Sequence, residues 1–340
     1  MRPLFPRARA AAAVAAVTTL ALLAAACGGG GPTKATTAAA DVADLHGVTL
    51  RVGDQVSISK TLLQASGQDQ ALPYAISWST FAAGPPLLEA INAGAIDLGG
   101  VGDAPPIFAQ ASGAALKVVA ASHAADATQS SQAILVRKGS TISDVAQLKG
   151  KKVAVARGSA SHWLLLAALQ KAGLGIGDVQ VSYLLPADAL AAFQGGDVDA
   201  WAVWDPYVSI AEQQGAHAIT TGAGLIGGYS FQVARPGALN DPRLTAAIGD
   251  YLARLAVASK WAAQHKPEWA TRYAQLTKLP DAIAASTLDH FTSTYVPVDD
   301  QVRKAQQDEA DGFKAAGLIP KAIDVAQVLD TRYTERLKEA

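Results

Sequence analysis

The densest run of residues able to hold a ligand is Arg157-Gly158-Ser159-Ala160-Ser161-His162-Trp163. Before it, Lys151 to Ala156 reads as a short buried strand. After it, Leu164 to Leu169 reads as a helix that Gly173 can stop. A helix opened by Gly and Ser presents unpaired backbone N–H groups and the positive end of its dipole, and both suit an anion. The Gly-x-x-x-x-Gly-Lys-Ser/Thr spacing of a nucleotide cradle is missing, so the anion should be smaller than a nucleoside triphosphate. Two roles stay open for Ser159: a plain helix cap, or a donor to that anion. Hydrolysis by Ser159 lacks its frame. There is no Gly-x-Ser-x-Gly elbow, and His162, three residues on in the same helical turn, is badly placed to act as base. The six histidines, at 46, 123, 162, 217, 265 and 290, show no paired helical spacing and no cysteine partner. No metal site and no cofactor is expected.

The chain has 340 residues, half of them hydrophobic, and a formal net charge of −1. That length suits one large or two ordinary domains, and the charge balance gives no reason to expect nucleic acid as a partner. Arg2, Arg7 and Arg9 precede an apolar run from Ala10 to Ala26, the order of an export signal. Interrupted by Thr18 and Thr19, the run falls short of a membrane span. The sole cysteine, Cys27, follows it, and Leu22-Leu23-Ala24-Ala25-Ala26-Cys27 resembles a bacterial lipoprotein signal, in which the cysteine becomes the lipidated first residue. Leu23 stands four before Cys27 where that pattern wants three, and Ala24 to Ala26 could also serve as an ordinary cleavage site. Residues 1–27 are therefore expected to be a signal with lipidation at Cys27, and 28–46 a flexible tether.

From Val48 onward, strand-like runs (48–52, 76–81, 96–101, 116–121) alternate with helical ones, and a second series follows (153–156, 179–185, 198–203, 218–221). Alternation of this kind indicates mostly parallel sheets flanked by helices. An echo ties the halves together. Leu88, Ala90, Gly94, Ile96, Asp97, Val101 and Asp103 recur 102 positions later (199 − 97 = 102) as Leu190, Ala192, Gly196, Val198, Asp199, Val203 and Asp205. After a last strand-like run at 229–234 the pattern is helical to the end and should cover the first lobe, with Trp261 and Trp269 as packing aromatics. The expected architecture is an α/β fold of two lobes: 47–136 with 235–340 as lobe I, and 137–234 as lobe II. The hinge is expected near 136–139 and 231–236.

In open α/β sheets, ligands bind beyond the carboxyl ends of strands. The loops at such ends are 54–61, 80–86, 102–106, 157–163, 204–207 and 227–229, and Lys60 and Arg157 are their only cationic residues. An anion here would be met mainly by neutral donors. Each helix terminus offers about 0.3–1 kcal/mol and each bond to a charged group about 1.5–3, so several reach the roughly 8 kcal/mol of micromolar affinity. Pro85 begins a helix whose free N–H groups are expected to face the same cleft. Asp103 and Asp205 each read as a cap followed by Pro in a first helical turn; a cap can border a ligand. Trp204 could wall the cleft or join the core, and His162 could cap or pack.

Those loops carry a resemblance. Gly84-Pro85-Pro86-Leu87-Leu88-Glu89-Ala90, Gly102-Asp103-Ala104-Pro105-Pro106-Ile107-Phe108-Ala109-Gln110, Leu148-Lys149-Gly150-Lys151-Lys152-Val153, Gly158-Ser159 and Val198-Asp199-Ala200-Trp201-Ala202-Val203-Trp204-Asp205-Pro206-Tyr207 are together similar to the solute-binding proteins of ABC importers, in the aliphatic-sulfonate branch of the nitrate/sulfonate/taurine group. The likeness runs from about Leu50 to beyond Ala234. It implies a two-lobed periplasmic-binding-protein fold of type II, with no catalytic activity, that closes on a small organic sulfonate. It further implies delivery to a permease and ATPase complex, a monomeric state, and residence at the outer face of the cytoplasmic membrane or in the periplasm. The resemblance places Gln55, Ser59, Gly84, Pro85, Gly102, Asp103, Ser159, His162, Trp163, Trp204, Asp205 and Tyr229 in the site. Ser59, Ser159 and helix-start N–H groups would meet the sulfonate, and Trp204, Trp163 and Tyr229 the tail. Asp54 stands where the group often has Tyr, and Ala160-Ser161 is this chain's own variant, which opens taurine, nitrate or bicarbonate, or an uncharged pyrimidine as rival ligands.

Overall fold

Two sheets organise the chain, because its strands fall into two sets that never pair with each other. The structure is a computed structural model in which residues 45–124, 128, 130–291 and 293–340 are described. The signal, Cys27 and nearly all of the tether lie outside the described residues. The first sheet holds β1 (Thr49–Gln55), β2 (Ala75–Phe81), β3 (Leu98–Gly102), β4 (Lys117–Ala124), β10 (Tyr229–Ala234) and β11 (Ser293–Val296), in the order β11-β4-β10-β3-β1-β2. The second holds β5 (Gln132–Val136), β6 (Lys152–Val155), β7 (Gln180–Tyr183), β8 (Ala200–Trp204) and β9 (His217–Thr221), in the order β7-β6-β8-β5-β9.

The helices are α1 (Ile58–Ala65), α2 (Gly84–Asn92), α3 (Ala104–Ala111), α4 (Ala160–Lys171), α5 (Pro186–Gly195), α6 (Tyr207–Gln213), α7 (Pro236–Leu239), α8 (Pro242–Ala262), α9 (Lys266–Thr277), α10 (Asp281–Asp289), α11 (Asp300–Ala315) and α12 (Thr334–Glu339). Both faces of each sheet are covered, which explains why the strands read as continuous apolar runs. Leu50 and Val52 pack under α8 through Tyr251, Leu252 and Leu255, and Phe231 and Val233 face α2 through Leu87 and Ile91. As expected, the helical tail covers the first sheet, and Trp269 is buried there with its indole N–H on Thr61 Oγ1 at 3.2 Å. A further apolar cluster bridges the lobes: Ile107 of α3 and Phe313 of α11 meet Leu166 of α4.

The sheets are mostly parallel, as expected: β1, β2, β3 and β4 run one way in the first and β6, β7, β8 and β9 in the second, with β10, β11 and β5 reversed. Strands that carry the chain between lobes arrive without a crossover helix, so they enter antiparallel. One expectation needs correction: the lobe boundaries move. β5, assigned by sequence to lobe I, hydrogen-bonds in the second sheet, and β10, assigned to lobe II, lies in the first. The chain therefore passes between sheets before β5 and again before β10.

The internal echo is structural. In both copies the aspartate before the strand accepts the amide of an earlier strand, Arg51 N to Asp97 at 3.1 Å and Lys152 N to Asp199 at 2.9 Å. Asp97 also takes Arg51 at 2.6 Å and Arg235 at 2.7 Å. Burial alone would raise its pKa, but these bonds outweigh burial and hold it below the ordinary carboxylate range. A depressed folded pKa contributes stability above the unfolded value that is lost as pH falls through the folded one. Asp97→Asn should cost about 2–3 kcal/mol at neutral pH, because a buried acceptor is lost while both guanidinium groups keep some solvent. Urea melts at pH 7 and pH 3 check this: the deficit should shrink at pH 3, and an equal deficit at both would contradict the ion-pair account.

Candidate functional site

A cavity of about 300 Å³ lies between the carboxyl ends of the two parallel cores. That volume is at the small end of ligand pockets. From the first lobe it is lined by Asp54 and Gln55 at the end of β1, Ser59 of α1, Gly84, Gly102, residues 229–232 of β10, and His290 just past α10. From the second come Gln132, Ser159, Ala160, Trp204 and the glycine-rich segment at 222–228.

Four helix starts border this space, and they differ in what they have left to donate. At α1 the Asp54 carboxylate takes Ser59 N at 3.3 Å and Lys60 N at 2.9 Å. At α2, Pro85 and Pro86 carry no N–H. At α3, Ala104 N is held by Asp103 Oδ1 at 3.0 Å, and Pro105 and Pro106 again donate nothing. At α4, His162 N and Trp163 N turn to Ser159, but the amides of Ala160 and Ser161 make no hydrogen bond among the described residues. Two adjacent free amides at the positive end of a three-turn helix, beside a cavity-lining Ala160, form the strongest anion position present.

Ser159 is the N-cap: its Oγ accepts from His162 N at 3.2 Å and donates to Ala156 O at 2.7 Å. Its hydroxyl proton is thereby committed, so its part is to shape the α4 start rather than to donate outward. Gln55 lines the cavity with its amide on Gly100 O at 2.9 Å. Tyr229 lies stacked on Phe231, ring centres 6.3 Å apart, and 4.7 Å from the ring of His123.

Of the twelve residues expected in the site, Gln55, Ser59, Gly84, Gly102, Ser159, Trp204 and Tyr229 line the cavity, and five lie elsewhere. Pro85 sits within the α2 turn. Asp103 is buried under Gln306, which donates to its carbonyl at 2.9 Å, and burial pushes its carboxyl up to about 7. His162 is fully buried among Phe108, Tyr183 and Phe313, and burial, with Arg157 nearby, pushes it down to about 4. Trp163 packs on Phe313 in the cluster joining the lobes. Asp205 is wholly buried, accepting Ser209 N at 3.0 Å and Ser209 Oγ at 2.7 Å. The helical turn explains the loss of His162 and Trp163, which point about 200° and 300° around α4 from Ala160.

Gln132 and His290 line the cavity without any sequence signal to place them there, and Asp54, from loop 54–61, joins them as a lining carboxylate. The two cationic residues of the strand-end loops stay out of the cavity, in keeping with an anion met by neutral donors. Arg157 lies over the Tyr183 ring at 5.4 Å, and Lys60 does not line the cavity. Asp54 is pushed up to about 6 by burial, against the amides of Lys60, Ser59 and Gln55. His290 is pushed up by its bond to Asp205, more than burial pushes it down.

The lobes approach closely beside the cavity. A Cβ at Gly102 would stand 2.8 Å from Ala160 Cβ, and one at Gly158, whose φ is +70°, would stand 2.9 Å from the Phe108 ring. Both seams require glycine.

The family model described as NMT1-like matches residues 62–278. The alkanesulfonate-binding protein of Xanthomonas axonopodis pv. citri, solved bound to MOPS, superposes with a TM-score of 0.75 at 38% identity, over 84% of this chain and 99% of that one. The periplasmic aliphatic sulphonate binding protein of Escherichia coli gives 0.71 at 42% identity, over 82% and 91%. The taurine-binding periplasmic protein of Escherichia coli (strain K12) is 28% identical over 279 residues, 76% of this chain and 84% of that one. The architecture is thus the two-lobed type II binding-protein fold.

Proposed function

This chain belongs to the NMT1-like family, and on that footing we propose that it is the extracytoplasmic receptor of an ABC importer, capturing aliphatic sulfonates and handing them to a permease and ATPase complex. The observation that carries the reading is the pair of free amides at Ala160 and Ser161 at the start of α4, where Ala160 lines a small cavity between two lobes. A sulfonate stays ionised at every physiological pH and offers three acceptor oxygens, which suits backbone donors and a helix dipole. Trp204 and Tyr229 supply apolar walls for an alkyl tail. The lobes, one built on each sheet, close about the two connections that precede β5 and β10. The protein acts as a monomer held to the outer face of the membrane by lipid on Cys27, and it does no chemistry on its ligand. Ser159 donates to a carbonyl and His162 Nδ1 accepts from Gly158 N at 3.2 Å, so neither activates the other.

Isothermal titration with pentanesulfonate, nitrate, bicarbonate and an uncharged pyrimidine tests this. Micromolar or tighter binding of the sulfonate alone, about 8 kcal/mol, is expected; no heat with any sulfonate, or tighter binding of the pyrimidine, would overturn it.

Asp54 favours a second reading of the tail, since a buried carboxylate on the cavity wall suits a ligand that carries an amine as well as a sulfonate. Asp54→Asn should then weaken taurine and strengthen pentanesulfonate, each by about tenfold, the worth of a single bond to a charged group. With a folded pKa near 6, Asp54 becomes charged as pH rises through that value. Taurine should bind more tightly from pH 5 to 7, and an identical pH response for both ligands would remove the carboxylate from the argument.

A further inference from the structure

His290 follows α10 of the first lobe, and its Nδ1 lies 2.6 Å from Oδ2 of Asp205, which belongs to the second. The carboxylate can only accept, so Nδ1 carries the proton in this bond. Beside it Ser209 Oγ, itself on Asp205, lies 3.0 Å from Ser286 Oγ of α10, so two polar links cross the seam together. Asp205 is wholly buried, whereas the His290 side chain keeps about a third of its surface and lines the cavity. With Nδ1 engaged, Nε2 makes no hydrogen bond among the described residues. The charged groups around the ring are Asp205 just before α6, Glu212 within α6, and Asp289 on its own helix, whose carbonyl accepts from Lys266 of α9. The other titratable groups on the cavity wall are Asp54, His123, Tyr229 and Tyr295.

We propose that His290 is a specificity-determining residue: an imidazolium clamped by Asp205 across the lobe seam, whose Nε2–H gives the cavity its cationic contact to an anionic headgroup. The inference rests on the sulfonate reading and deepens it. The Asp205 bond raises the ring's affinity for its second proton, and that proton sits on the nitrogen left for ligand. Since the clamp forms only when the lobes meet, closure and charge arrive together, and a neutral pyrimidine gains nothing from either. Linkage fixes the sign. A histidine whose folded pKa is raised is charged below that value and loses its contribution as pH rises through it.

The test is titration of the full chain with pentanesulfonate from pH 5.5 to 8.5. The ligand does not titrate in this range, so the profile belongs to the protein. Because Asp54 titrates nearby, the comparison is made in an Asp54→Asn background, with and without His290→Gln. His290→Gln should weaken binding at pH 6 by about ten- to a hundredfold, the worth of one bond to a charged group, and flatten the fall above pH 6.5. Ser286→Ala, which loosens the seam and leaves the charge in place, should keep that fall. Equal affinity and an unchanged profile in His290→Gln would overturn the proposal, as would a Ser286→Ala variant that reproduces both effects, since that would make the seam purely mechanical. If the parent binds no sulfonate at any pH, the functional reading itself fails, and the inference falls with it.

Discussion

Replacing Ala160 by proline should abolish most sulfonate binding while the protein stays folded. Ala160 is the first residue of α4, where proline is tolerated because its missing N–H would have no helical partner. Ser159 before it has φ −86° and ψ 164°, the extended backbone that a residue preceding proline prefers. The exchange therefore deletes one free amide and little else. Losing a backbone donor to a charged oxygen costs about 1.5–3 kcal/mol, or ten- to a hundredfold in Kd. Calorimetry with pentanesulfonate checks it, and Ala160→Gly, which keeps the N–H and trims the side chain, is the control. If proline and glycine behave alike, the α4 amide is not a ligand contact.

Gly102→Val should leave a stable protein that cannot close. Gly102 ends β3 opposite Ser230 of β10, a position where a β-branched residue is at home. Its Cβ would meet that of Ala160 at 2.8 Å, well inside the roughly 3.5–4.0 Å at which carbons attract. One lobe must then stand off from the other, and a ligand that relies on donors from both loses one set. Affinity should fall by more than about tenfold, since one contact to a charged group is at stake. Small-angle scattering should lose whatever compaction pentanesulfonate induces in the parent. Normal affinity with normal compaction would mean that the lobes need not approach this closely to bind.

Both results turn on features that the sequence carried unevenly. The two α/β lobes were legible because apolar runs alternate with helical ones and because Asp97 and Asp199 repeat at one offset, each bonding an earlier strand. β5 was missed because Gln132–Val136 lies where the chain changes lobe, and β11 because Ser293–Val296 is short, half-exposed and set among helices. Within the site, the weakness of the α2 and α3 starts as donors was present in the sequence all along: Pro85-Pro86 and Pro105-Pro106 have no N–H to give. That Asp54 would fold back onto Ser59 and Lys60 needed the turn between them, with Val56 and Ser57 both at positive φ. His290 gave no sequence signal, because its partner Asp205 is 85 residues away and on the other lobe. The family resemblance places His162 and Trp163 in the site, but helical rotation turns them to the seam with Phe313.

A crystal structure of the protein with pentanesulfonate would test the central claim most directly. Sulfonate oxygens should lie about 2.7–3.2 Å from the amide nitrogens of Ala160 and Ser161, with the chain directed along Trp204. A headgroup seated instead at the start of α1, or bound outside the space between the lobes, would contradict it.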